Sequence, residues 1–125
     1  MACSIRNQPC ESKNFKHTAP SGGYTTWTMY IINDTVVIVG ATTTVGNEAV
    51  CYYWCPKVLV DCLTITSGNQ ASYDEGCKVY YDSLTNAITH TSSGTTTLCG
   101  IVTLQPAVGA ILCEIHLMGA LGIVT

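Results

Sequence analysis

Charge is what this sequence has least of. Asp, Glu, Lys and Arg together make up 10% of its 125 residues, against about 25% in an average soluble domain. Five basic side chains stand against eight acidic ones, a net charge of -3. A protein that grips nucleic acid through its phosphates needs a basic surplus, so that class is excluded. Intrinsic disorder needs high charge and few apolar residues, and 47% of this chain is hydrophobic, which excludes that class as well. So little charge on a small chain implies that part of the surface is buried in an oligomer or a larger assembly.

Long apolar runs are missing too. The most hydrophobic stretch, Ile101 to Val124, is interrupted by Gln105, Pro106, Glu114 and His116, and a membrane helix needs about 20 apolar residues in a row. The opening, MACSIRNQPC, has no apolar core of signal-peptide length, so export is not expected. No nucleophile elbow, phosphate loop or zinc-protease helix motif occurs. The three histidines, His17, His90 and His116, fall in separate segments. Glu114 and His116 share one strand face and read as solvent-facing or interface polar residues rather than an acid–base pair. Asp74-Glu75 reads as a turn with exposed acids, not a cation site. The expectation is therefore a non-enzyme with no cofactor and no metal.

Cysteine, in contrast, is plentiful. Eight are present, at positions 3, 10, 51, 55, 62, 77, 99 and 113. Several lie inside apolar, strand-like runs, where a thiol behaves as a small hydrophobe. Core thiols are the preferred reading, and disulfides the alternative. A zinc site would have one close pair, Cys51-x-x-x-Cys55, and no second pair at ligand spacing.

What patterning there is has period two. Ile111, Cys113, Ile115 and Leu117 alternate with Leu112, Glu114, His116 and Met118, as in a half-buried strand. Cys77 to Asp82 alternates likewise. In Glu48 to Trp54, Val50, Tyr52 and Trp54 are expected on one face and Ala49, Cys51 and Tyr53 on the other. Thr35 to Val39 and Leu98 to Leu104 are continuous apolar and β-branched runs, expected to be covered on both sides. Tyr24 to Ile32, Lys57 to Leu63 and Ala87 to Thr91 are further strands. Turn residues recur between these runs, among them Asn33-Asp34, Gly46-Asn47 and Ser93-Gly94. No capped helical period exceeds a turn or two. The spacing predicts one all-β domain over residues 18–125, a small antiparallel β-sandwich or β-barrel. Residues 1–17, with Arg6, Lys13 and Lys16 against Glu11, form a mildly basic, extended N-terminal arm ahead of an acidic body.

The aromatics come in neighbours: Tyr52, Tyr53 and Trp54, then Tyr80 and Tyr81. Adjacent strand residues face opposite ways, so one of each pair points outward. Exposed Tyr and Trp with few charges around them suit a protein interface. A nucleic-acid stacking platform would need basic neighbours, which are missing.

The second half of the chain carries a fuller pattern. Residues 72–119 read SYDEGCKVYYDSLTNAITHTSSGTTTLCGIVTLQPAVGAILCEIHLMG. Gly76, Val79, Tyr80, Tyr81 and Asp82 are followed by a polar loop with Ser92, Ser93 and Gly94. Then come Gly100, Ile101 and Val102, a turn with Ala107 and Gly109, and a last strand with Ile115, Leu117 and Gly119. Upstream, Asp34 to Val37, Gly40, Val45-Gly46, Glu48 to Trp54 and Pro56-Lys57 keep the same order. This arrangement resembles the small capsid decoration (cement) proteins of tailed bacteriophages, over roughly residues 20 to 119.

The resemblance implies a compact β fold without enzymatic activity. It implies a protein made in the bacterial host cytoplasm that binds the outer surface of the phage capsid in many copies. The implied partners are the major capsid protein and further copies of itself, as a homotrimer or homodimer, with no nucleic acid and no membrane. On that reading Arg6, Lys13 and Lys16 would meet the capsid, and Tyr53 and Tyr80 would lie at subunit contacts. The competing expectation is a small-ligand or carbohydrate-binding β-barrel module of the virion, adhesin-like. It would use a pocket lined by Trp27 or Trp54 beside an Asp or Asn.

Overall fold

Alternating β-branched and aromatic residues, punctuated by turn formers, produce a nearly all-β chain. The computed structural model describes residues 12–118. Its strands are β1 (Lys13–Thr18), β2 (Met29–Ile32), β3 (Thr35–Val39), β4 (Glu48–Asp61), β5 (Lys78–Asp82), β6 (Ala87–Thr89), β7 (Thr96–Leu104) and β8 (Leu112–Met118). One short 3-10 turn, Gln70–Tyr73, lies between β4 and β5.

The strands form one sheet in the order β2-β3-β4-β8-β7-β5-β6, with β1 added on β4. Every strand pair is antiparallel. A parallel bridge between Cys62 and Ile88, with the Leu63 N–H donating to the Ile88 carbonyl at 3.2 Å, brings β6 back to the end of β4. Strands β4, β8, β7, β5 and β6 thereby nearly close into a barrel, which hides most of the sheet's edges.

The barrel encloses the main core, which includes Ile38, Val79, Ile88, Val102, Ile115 and Leu117. A second, smaller core holds Ala19, Tyr24, Val37, Val39, Ala49 and Cys51. Strand β3 is the wall between them. Val36 and Ile38 face the first core, Val37 and Val39 the second, so the run is covered on both sides as its composition predicts. Each fully buried Val is worth about 1.5–3 kcal/mol relative to exposure. Strand β7 differs from expectation. Cys99 and Val102 are buried, but Leu104 is 58% exposed, because the register shifts between Val102↔Ile115 and Leu104↔Glu114 and turns Leu104 to the outer face.

Strand β4 is longer than the sequence suggests. Glu48–Trp54 and Lys57–Leu63 read as two strands, yet one 14-residue strand runs through Pro56. Proline cannot donate to a ladder, and it is accommodated at a bulge. Between Cys55↔Leu117 and Val58↔Ile115 the register shifts, so Pro56 and Lys57 together stand opposite His116. A second irregularity lies at Tyr53. The β1 ladder steps from Asn14↔Tyr52 to Lys13↔Trp54, leaving Tyr53 extra. This changes which residues face the barrel. Tyr52 packs against the main core, Ala49, Cys51 and Tyr53 belong to the smaller one, and Cys55 returns to the main core. The expected face of Val50, Tyr52 and Trp54 therefore breaks at Trp54.

The expected arm divides. Arg6 and the rest of residues 1–11 lie outside the described residues, while Lys13–Thr18 is strand β1, so the boundary expected after residue 17 falls inside a strand. Its phenylalanine, Phe15, stacks on Tyr53 with ring centroids 5.8 Å apart, and His17 Nδ1 lies 3.0 Å from the Tyr24 hydroxyl. Both contacts cover the smaller core. The local cause is alternation, which turns Phe15 and His17 inward and leaves Lys16 exposed, while the register shift between Lys13 and Asn14 leaves Lys13 exposed as well. A chain lacking residues 1–17 is therefore expected to melt roughly 10 °C lower, the cost of uncovering an aromatic-lined core. A thermal melt followed by circular dichroism checks this. An unchanged Tm would mean that β1 contributes no stability.

Candidate interaction surfaces

Three separate imidazoles and scattered acids offer little chemistry. Each histidine rests against an aromatic ring: His17 against Tyr24, His90 against Tyr73 and His116 against Trp54. Glu114 Oε1 accepts a 2.7 Å hydrogen bond from the Thr103 hydroxyl, while the His116 ring meets Trp54 edge-on at 4.8 Å. The two neighbours on β8 are thus engaged by opposite flanking strands. The Glu75 carboxylate accepts the Gln105 N–H at 3.0 Å. That bond, helped by Asp74, holds its pKa below the usual carboxylate value. The Asp74-Glu75 turn is in this way fastened to the end of β7. Among the described residues no three His, Cys, Asp or Glu converge as a metal site.

The six described cysteines are free thiols, and all but Cys77 are buried. Cys51 and Cys55 face different cores, because the bulge at Tyr53 lies between them. Their spacing therefore gives no ligand pair. Burial pushes the thiols of Cys55 and Cys62 up to about 11 and those of Cys99 and Cys113 up to about 12. A thiol held protonated in this way is neither a nucleophile nor a metal ligand.

The aromatic residues expected at contacts have distinct fates. Tyr53 is half-buried, packed on the smaller core under Phe15. Strand β1 supplies part of its cover through Phe15. Tyr80 is half-buried between Leu98 and Thr89, whereas its neighbour Tyr81 is 3% exposed in the main core. One tyrosine of that pair thus points in and the other out, as alternation requires. The Tyr81 hydroxyl donates to Asn86 Oδ1 at 2.9 Å, with the Met29 carbonyl at 3.4 Å. Trp54 carries the Lys13 ammonium 5.6 Å from its ring centroid. Its indole is therefore engaged by His116 and Lys13.

What the sequence reading missed is an apolar area on the outside of β4, β8 and β7. Leu59, Leu104 and Leu112 are 63%, 58% and 44% exposed. Leu59 and Leu104 flank Glu114 on its two neighbouring strands, and Leu112 lies two residues along from Glu114. Side chains so placed on one sheet face are within reach of one another. Lys57 and Asp61 border the area on β4, and both are exposed. The signal was present in the sequence as Leu59 and Leu112 at alternate positions out of phase with the core residues Val60, Cys113 and Ile115. Alternation puts Leu112 on the face of Glu114 and His116, but it does not say that Leu59 and Leu104 of two other strands join it there.

A second exposed apolar side chain is Trp27, 60% exposed at a backbone φ of 56°. The sequence reading placed it mid-strand. In the structure the strand begins only at Met29, because the left-handed residue turns the chain out of the ladder.

Comparison with known protein families, with curated proteins and with solved structures finds no significant match.

Proposed function

We propose that this chain is a structural protein of a phage virion, binding the outside of the head and stabilising the major capsid protein lattice. It acts in this reading as a homotrimer or homodimer and performs no catalysis. The observation that carries the reading is the outer face of β4, β8 and β7. Leu59, Leu104 and Leu112 stand exposed on a rigid, nearly closed sheet in a chain that is 10% charged. Exposed leucines grouped around Glu114 on the outer sheet face, bordered by Lys57 and Asp61, have the makeup of a protein contact. The motif residues behind the resemblance support it: Val79 to Asp82, Gly100 to Val102, and Ile115 with Leu117 lie on the adjacent strands β5, β7 and β8.

The physics of the task is mass action. A protein that binds only the assembled lattice stabilises it in proportion to its occupancy. Oligomeric attachment multiplies weak individual contacts. The leucine face is assigned to contacts between copies. Arg6, Lys13 and Lys16 are assigned to the lattice, Lys13 and Lys16 from exposed positions on β1.

The test is quantitative mass spectrometry of purified particles, paired with sedimentation of the purified protein with heads that lack it. Copies comparable to those of the major capsid protein support the reading. A handful of copies would move the protein to a vertex or tail, and absence from particles would overturn the reading. For the leucine face, Leu59→Lys is expected to leave the fold intact, since Glu114 stands opposite, and to shift the protein to monomer. Sedimentation velocity reads this directly, and an unchanged oligomer would put the copy contact elsewhere.

A further inference from the structure

Trp27 occupies a conformation that its side chain disfavours. Its φ of 56° is left-handed, a region where glycine, asparagine and aspartate are usual and a bulky residue is an outlier. No burial explains it, because the residue is 60% exposed. Nor is the loop slack. The Trp27 N–H donates to the Val39 carbonyl at 2.7 Å, and the Val39 N–H donates to the Thr28 carbonyl at 3.2 Å. The Thr26 N–H donates to the Thr42 hydroxyl oxygen at 3.1 Å, and the Thr25 N–H to the Tyr30 hydroxyl oxygen at 2.8 Å. Strained backbone held by its surroundings, with an exposed aromatic ring at its apex, is a feature that function retains and stability does not.

The surroundings narrow the ligand. Residues 24–32 and 40–47, the two segments that bracket the ring, contain no Asp, Glu, Lys, Arg or His. A charged partner surface would find no complement there. A sugar stacked on the ring would need free polar groups beside it. Three of the nearby hydroxyls are committed: Thr26 Oγ1 donates to the Gly40 carbonyl, Thr28 Oγ1 to the Thr26 carbonyl and Thr43 Oγ1 to the Ala41 carbonyl. Each of these hydroxyls spends its proton on the loop. The most prominent feature offered to a partner is an exposed indole ring flanked by segments without formal charge. That suits insertion into an apolar socket of another protein.

We propose that Trp27 is the anchor by which this protein docks on the assembled head, its ring entering an uncharged apolar socket on the major capsid protein lattice. This rests on the decoration reading above and adds the contact residue to it. The ring makes the contact, and the rigid left-handed turn presents it without an ordering cost on binding.

The experiment compares wild type, Trp27→Gly and Trp27→Phe as full chains, sedimented with heads assembled without the protein. Thermal melts of the same samples run alongside. Trp27→Gly is expected to bind at least about 30-fold more weakly, the effect of losing an anchor residue. Its Tm should fall by no more than a few degrees, because glycine relieves the left-handed backbone while losing little burial. Trp27→Phe should retain part of the binding. Full binding by Trp27→Gly would overturn the anchor and leave the decoration reading standing. A drop in Tm of about 10 °C or more would mark Trp27 as structural and also overturn the anchor. Wild type that fails to bind heads would overturn both. Tryptophan-fluorescence titration with neutral maltoheptaose and cellohexaose covers the other chemistry. A Trp27-dependent signal there would replace the protein socket with a sugar.

Discussion

Gly100→Ala is expected to remove a large share of the protein's stability, although it adds a single methyl group. Gly100 lies in β7 between Val79 of β5 and Leu117 of β8. A Cβ at this position would overlap the carbonyl oxygen of His116 in β8. The obstacle is backbone, so no rotamer change relieves it. Strands β7 and β8 would have to part where Ile101↔His116 and Val102↔Ile115 now pair, and these strands carry part of the main core. Overpacking of this kind against a rigid neighbour costs on the order of 4 kcal/mol or more, a large share of the roughly 5–15 kcal/mol that a domain has. Gly94→Ala is the control, because a Cβ there meets nothing within 4 Å. Urea titrations of both variants decide the matter. A Gly100→Ala midpoint close to wild type would mean that β7 and β8 do not approach as described.

The reduced protein is expected to lose stability steeply above pH 9. Cys99 and Cys113 ionise at about 12 when folded, and Cys55 and Cys62 at about 11, mainly because burial disfavours the thiolate. In the unfolded chain these thiols ionise near their ordinary value of 9.0. Below that pH both states are protonated and stability does not depend on these groups. Above it the unfolded chain releases protons that the folded chain keeps, so stability falls as pH rises from about 9 toward 12. For Cys99, which is 0% exposed, the upward shift amounts to on the order of 4 kcal/mol at the end of that range. The buried hydroxyls of Tyr73 and Tyr81, also raised by burial, act in the same direction at higher pH. Denaturant midpoints at pH 7, 9, 10 and 11 under reducing conditions measure the slope. Alkylation at pH 8 gives an independent reading. Among the six described cysteines, half-buried Cys77 should react first and the other five only after denaturation. A midpoint flat from pH 8 to 11 would show that these thiols are not buried as protonated groups.

The fold class was legible because period two is local. Thr35–Val39 announced a strand covered on both faces, and the structure sets its alternate residues in two different cores. Lys78–Asp82 and Leu112–Met118 have burial patterns that follow their sequence alternation residue by residue. Core thiols were legible for the same reason, since cysteines within apolar runs share their environment. Where alternation was interrupted, the sequence misled. Pro56 looked like a strand boundary and is a bulge inside β4. Trp27 looked like strand and is the left-handed residue that delays β2 to Met29.

The candidate surfaces were less legible, because they depend on what covers what. Tyr53 reads as an outward aromatic until β1 lays Phe15 across it. Trp54 reads as an open platform until His116 and Lys13 are packed against its ring. Leu104 reads as covered on both sides until the register shift in β7 sets it beside Leu59 and Leu112 on the outer face. The sequence by itself determined an all-β chain, poor in charge and rich in buried thiols, because those properties follow from residue type and a two-residue period. Only the tertiary structure decided which leucines face out, which aromatics are covered and which cysteines share a core. Those outcomes hang on two bulges in β4, on the register shift between Val102 and Leu104 in β7, and on strand pairings between residues distant in the chain, and a single shift in register moves every side chain that follows to the other face.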